Sequence, residues 1–192
     1  MRCWIVIPIK APQACKTRLS SALGDSERQS LVATMLHQTV SAARAVAGRD
    51  RVLLLGPSRH GLAEDTPLLA DPGQGLNAAL ASARDAAIVQ DVHRLICLSA
   101  DLPTIEPGDV AALLDVPRDA IALAPDRAGT GTNALSLPLP AAAPFRFRYG
   151  ECSSDAHRAE AARLGLPFLC LERPGLALDI DEPEDIARWQ QD

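Results

Sequence analysis

The chain has 192 residues, 47% hydrophobic and 22% charged, the balance of one globular soluble domain large enough for a substantial core. Its formal net charge of −5 and its 3% aromatic content argue against a general nucleic-acid or anionic-membrane surface, which needs a basic patch or stacking platforms. Five scattered cysteines, odd in number and never spaced C-x-x-C, indicate neither a disulfide framework nor a zinc site. No apolar run nears the roughly 18 residues of a membrane span, and the run Cys3 to Ile9 is short and carries Pro8, unlike a secretory leader. A cytoplasmic protein with no nucleic-acid or membrane partner is expected.

In chain order, Cys3 to Ile7 is a continuous apolar run, as in a strand buried on both faces. The loop after it carries Lys10, Lys16 and Arg18, cations that can cradle phosphates or simply be solvated. A helix is expected over 26–46, with Ser26 and Gln29 placed for a capping box. A strand over 51–55 closes on Gly56-Pro57, and a short run over 67–70 leads to the turn Asp71-Pro72-Gly73-Gln74-Gly75. A helix over 76–90 and a strand over 93–98 follow. Asp101, just past that strand, suits either a metal or an ordinary loop cap. Pro107 fits the first turn of another helix, and 120–124 reads as a further strand.

The second half changes rhythm. Gly129-Thr130-Gly131-Thr132-Asn133 has the small residues, backbone N–H groups and hydroxyls of an anion nest, or of a flexible turn. Strands are expected over 133–137 and 145–148. Gly150-Glu151-Cys152-Ser153 opens a helix to about 164, with Ser153 or Ser154 as its cap and Gly165 as its end; its N-terminus suits a phosphate. Strands over 168–171 and 176–180 complete the pattern. In the last, Asp179 and Asp181 sit two apart, so strand alternation turns both carboxylates to one face and Ile180 to the other. That pair suits a hard divalent cation whose remaining ligands are phosphates, or else a solvated acidic turn before a final helix. Alternating β and α segments predict one α/β Rossmann-like domain over 1–192, with a mixed, mostly parallel sheet and ligands beyond the strands' carboxyl ends.

Two other motifs compete. Gly73-Gln74-Gly75-Leu76-Asn77-Ala78 matches the dinucleotide pattern G-x-G-x-x-A, but its strand is short, and an oxidoreductase would leave the basic loop and the aspartates idle. Ser153 and His157 share a helix face, yet no G-x-S-x-G elbow supports a hydrolase. His157 can face the site or be an ordinary helix residue.

Trp4-Ile5-Val6-Ile7-Pro8-Ile9-Lys10, Cys15-Lys16-Thr17-Arg18-Leu19, Gly75-Leu76-Asn77, Ala100-Asp101-Leu102-Pro103, Gly131-Thr132-Asn133-Ala134-Leu135 and Leu178-Asp179-Ile180-Asp181 together resemble one family. It is the guanylyltransferase family of deazaflavin coenzyme F-420 biosynthesis, acting on 2-phospho-L-lactate, phosphoenolpyruvate or 3-phosphoglycerate. Each motif is weak alone, but the ordered set spans Trp4 to about Asp185 and is specific. The resemblance implies a nucleotidyltransferase fold and Mg2+ on Asp101, Asp179 and Asp181. It puts the acceptor's phosphate on Thr132, Gly150 and Ser153, and the nucleotide on Lys10, Lys16, Arg18, Gly75 and Asn77. Lys16, Arg18 and Asp101 would be the catalytic groups, and Cys15 stands where the family usually has alanine. The implied reaction transfers GMP from GTP to the phosphorylated three-carbon acid and releases pyrophosphate. A nucleotidyltransferase with a molybdopterin or sugar-phosphate acceptor, or a non-catalytic nucleotide-binding protein, remains an alternative. The sequence leaves open the acid, the strictness for guanine, the number of metal ions and the oligomeric state, a homodimer included.

Overall fold

A computed structural model describes residues 2–11 and 15–189. Seven strands form one sheet: β1 (Cys3–Pro8), β2 (Val52–Leu55), β3 (Leu68–Leu69), β4 (Arg94–Leu98), β5 (Ile121–Pro125), β6 (Thr132–Pro138) and β7 (Phe168–Cys170), ordered β3-β2-β1-β4-β6-β5-β7. Only β6 runs antiparallel, to both β4 and β5; every other pairing is parallel. The α/β fold with a mixed, mostly parallel sheet is thus as the β/α alternation predicts.

Helices α1 (Asp25–Ala47) and α3 (Pro107–Leu114) cover one face of the sheet, while α2 (Leu76–Val89) and α4 (Ser153–Leu164) cover the other. Along β1 the alternation decides which core each side chain joins. Ile5 and Ile7 join the α1/α3 side and Val6 the α2/α4 side, all three with no exposed surface. Two short helices, α5 (Pro174–Ala177) and α6 (Pro183–Trp189), are the last elements among the described residues. Among the described residues no helix is long and apolar enough to cross a membrane.

Four local expectations are corrected. Helix α1 starts at Asp25, and the Gly24 N–H donates to the Glu27 carboxylate at 2.8 Å, so Ser26 and Gln29 form no capping box. Segment 145–148 makes no strand, because neighbouring side chains take the groups a ladder would use. The Arg146 N–H donates to Glu160 and the Arg148 N–H to the His157 Nε2, each at 2.9 Å. Helix α4 begins at Ser153 itself after a left-handed Cys152 (φ 51°), so neither serine is its side-chain cap; Gly165, at φ 66°, does end it. Finally, 176–180 is not a strand. Pro174 opens α5, and the buried Asn133 amide donates to the Leu176 carbonyl at 3.0 Å, holding the chain off the sheet.

Candidate functional site

The carboxyl ends of β1 and β4 and the start of β6 lie at one edge of the sheet, because β6 runs the other way. The Ser99 N–H, just past β4, donates to the Asn133 carbonyl at 2.9 Å and ties these ends together. A cavity of about 470 Å³ opens beside this edge, with Lys10, Lys16, Arg18, Gly75, Asp101 and Asp181 in its wall. Six of the residues singled out from the sequence therefore meet in one cleft.

Lys16 adopts a left-handed backbone (φ 50°) at the entry of a single 3-10 turn, Thr17–Ser21, and 10% of its side chain is exposed. Its ammonium donates to the Asp101 carboxylate and, at 2.6 Å, to the Asp181 carboxylate. Burial pushes the Lys16 pKa down, but the two aspartates outweigh it and hold it above the ordinary lysine value. Arg18 pairs with Glu182 at 3.1 Å, both ends well exposed. Cys15 fills the loop from inside, its thiol donating to the Lys10 and Ala11 carbonyls. Pro12, Gln13 and Ala14 of the basic loop lie outside the described residues.

Asp179 and Asp181 project from an extended stretch that pairs with no strand, yet the alternation read from the sequence survives. Leu178 and Ile180 are buried, and Ile180 packs with Leu19 and Met35. Burial, then the charges on Asp101 and Asp181, lift the Asp179 carboxyl to about 6, partly opposed by a hydrogen bond with Asn133. Among the described residues no three carboxylate, histidine or cysteine side chains are already gathered as a metal cluster. Instead, a lysine ammonium stands between two of the three aspartates. The Asp185 carboxylate accepts the Asp181 and Glu182 N–H groups at 3.1 and 2.9 Å, so it opens α6.

The other half of the site starts from a β-bulge. Ala124 pairs with Ala134 but Pro125 with Thr132, leaving Asn133 as the extra residue on β6. Asn133 thus turns to Leu176 and α5, as Ala134 turns to the α1/α3 core, while Thr132 is aimed at α4. The Ser153 hydroxyl donates to Thr132 Oγ1 at 3.0 Å, and His157 Nδ1 lies 3.1 Å from the same oxygen, all three side chains buried. Gly150 sits three residues ahead of Ser153 with φ 137°, open to solvent. The anion-nest reading of 129–133 is modified, since the Asp126 carboxylate already accepts the Thr130 N–H at 2.9 Å. A Cβ on Gly131 would come within 2.6 Å of that carboxylate, so a side chain there would push Asp126 off the Thr130 N–H.

Gly75 starts α2 with φ 88° and lines the cavity. Asn77 has another task. Its amide accepts the Tyr149 N–H at 2.8 Å and donates to the Tyr149 carbonyl at 3.1 Å, so it braces the segment before Gly150. Beyond the nest reading of 129–133 and the possibility that His157 faces the site, the sequence gives Asn133 and His157 no individual role. A polar amide at the start of an apolar strand was the only signal for Asn133; for His157 there was its i,i+4 spacing from Ser153.

The chain matches the family profile described as guanylyl transferase CofC like over residues 3–189. It is 42% identical to the phosphoenolpyruvate guanylyltransferase of Rubrobacter xylanophilus, covering 99% of this chain and 94% of that protein. It is 32% identical to the 3-phospho-D-glycerate guanylyltransferase of Colwellia psychrerythraea, covering 97% of this chain and 90% of that one. A provisionally assigned nucleotide-diphospho-sugar transferase from Desulfovibrio desulfuricans G20 has the same fold at 16% identity. Its TM-score is 0.76, with 96% of this chain and 84% of that one covered.

Proposed function

The chain belongs to the family of CofC-like guanylyl transferases, and from that membership we propose that it transfers GMP from GTP to the phosphate of a three-carbon acid in coenzyme F-420 biosynthesis. The observation that carries this reading is the meeting, at one sheet edge, of Lys16, Asp101, Asp179 and Asp181 with the Thr132–Ser153 hydroxyl pair. Phosphoenolpyruvate, 3-phospho-D-glycerate and 2-phospho-L-lactate are the acceptors, the first being the one named for the relative at 42% identity.

An oxygen of the acid's phosphate attacks the α-phosphorus of GTP, the new P–O bond forms, and the bond to the bridging oxygen breaks as pyrophosphate leaves. A phosphate monoester has its second pKa near 6, so at neutral pH the attacking oxygen already carries its charge and no general base is needed. The difficulty is electrostatic: two polyanions must be brought together and a third let go. Lys16 and Arg18 neutralise the nucleotide's phosphates, Lys10 adds charge at the cleft wall, and Gly75 admits the nucleoside beside α2. Thr132 and Ser153, with the open backbone at Gly150, hold the acceptor's phosphate in line.

The donor set fits a hard divalent cation. Asp101 and Asp181 already converge on a positive group, and Asp179 is charged with difficulty beside them. These three carboxylates would hold Mg2+, which when bound supplies charge neutralisation at the α-phosphate and on the departing pyrophosphate. The test is incubation with GTP, Mg2+ and each acid in turn, with mass detection of the guanylylated product alongside pyrophosphate. Product with at least one acid is expected; none with any of them, from folded protein, overturns the assignment.

A further inference from the structure

His157 is fully buried on α4, and the partners of its two ring nitrogens fix which one carries the proton. Nε2 lies 2.9 Å from the Arg148 N–H, a group that can only donate, so Nε2 is the bare nitrogen. The proton of the neutral ring is then on Nδ1 and is donated across 3.1 Å to Thr132 Oγ1. Ser153 donates to that same oxygen at 3.0 Å. The two hydroxyls can exchange donor and acceptor roles in that bond, so with one Thr132 lone pair taken by His157 the Thr132–Ser153 pair keeps one proton to give outward. Among the described residues nothing accepts it.

We propose that His157 is a positioning residue for the acceptor: by donating to Thr132 Oγ1 it commits the Thr132–Ser153 hydroxyl pair to giving its remaining proton to the acceptor's phosphate. This rests on the reading that Thr132 and Ser153 contact that phosphate. A dianionic phosphate offers acceptor oxygens only, so a hydroxyl that can still choose to accept is the wrong partner for it. With His157 donating to one lone pair of Thr132, the pair's last proton is committed before the substrate arrives. The other ring nitrogen does a second job. It holds the Arg148 N–H while Asn77 clamps Tyr149, which fixes the approach to Gly150. Burial pushes the ring down to about 4, so the tautomer is kept throughout the neutral range.

Glutamine and asparagine separate the two nitrogens. His157→Gln keeps an acceptor for the Arg148 N–H but loses the donor to Thr132; His157→Asn keeps a donor near the Nδ1 position. With pyrophosphate release followed on the full chain, H157Q should raise the acid's KM about tenfold while the KM for GTP stays within about twofold. H157N, which keeps the donor to Thr132 but gives up the Arg148 N–H, should raise the acid's KM by less than H157Q does, about threefold, with the KM for GTP within about twofold. Thr132→Val should raise the acid's KM about tenfold, and H157Q added to it should cost nothing more. Equal rises for both substrates in H157Q, or its full factor reappearing on the T132V background, would make His157 merely structural and overturn the proposal. The 15N shifts of His157 give an independent readout: a protonated Nε2 overturns it even if Thr132 binds the phosphate. An unchanged acid KM in T132V removes the acceptor-phosphate reading, and the proposal with it.

Discussion

The two halves of the site at this sheet edge are built on opposite principles. On the carboxylate side, Asp101 and Asp181 share one lysine, and Asp179 beside them is pushed up to about 6 because its charge is unwelcome there. On the hydroxyl side, both ring nitrogens of His157 are satisfied, and one hydroxyl proton of the Thr132–Ser153 pair is left over. The bulge at Asn133 divides them, turning Asn133 to α5 and Asp179 while Thr132 turns to α4. The difference follows from what each half meets. A site for a cation can hold unpaired negative charge as binding energy in reserve, whereas a site for a phosphate gains by having its donors fixed beforehand.

The largest effect that would break this contrast is on the carboxylate side. Asp101→Asn or Asp179→Asn should cut turnover about a thousandfold with the fold intact, measured by pyrophosphate release and circular dichroism. Asp179→Asn should also stabilise the ligand-free protein by about 2 kcal/mol at neutral pH, since it removes a charge the fold disfavours. Wild-type rates in either variant would refute the metal assignment. Lys16→Met comes next. It leaves Asp101 and Asp181 facing each other beside Asp179, and turnover should fall about a hundredfold.

The pH dependence separates the halves by sign. The folded value of Asp179 lies above the ordinary carboxyl value, so its stabilising contribution is complete below about 4 and is lost as pH rises through about 6. The folded value of His157 lies below the ordinary 6.5, so its contribution is complete above 6.5 and is lost as pH falls through about 4. In wild type the two slopes oppose each other between about 4 and 6. Urea unfolding across that window should show Asp179→Asn losing stability as pH falls, and His157→Gln gaining it. The same slope in both variants would contradict these assignments. The smallest effect belongs to the exposed Arg18–Glu182 pair. Glu182→Gln should change stability by under about 0.5 kcal/mol and leave turnover unchanged.

Much of the fold was legible because parallel strands buried on both faces read as plain apolar runs, as at Cys3–Ile7 and Val52–Leu55. The site residues were legible as polar exceptions just past those runs, and Asp101, Lys16 and Asp181 do meet. Segments 145–148 and 176–180 misled because their β-like composition is held in place by side chains from elsewhere: His157, Glu160, Asn77 and Asn133. No local pattern encodes such partners. A mixed sheet and a strand over 133–137 are legible too, but not that this strand is the antiparallel one, whose direction delivers Thr132 to the same edge as Asp101.

The contrast between the halves is tested most directly by the melting temperatures of wild type and Asp179→Asn, with and without saturating Mg2+·GTP. Free Asp179→Asn should melt above free wild type, and Mg2+·GTP should raise wild type by more than it raises the variant. A free variant that melts below wild type, or an equal rise in both, would contradict a carboxylate side held in reserve for a cation.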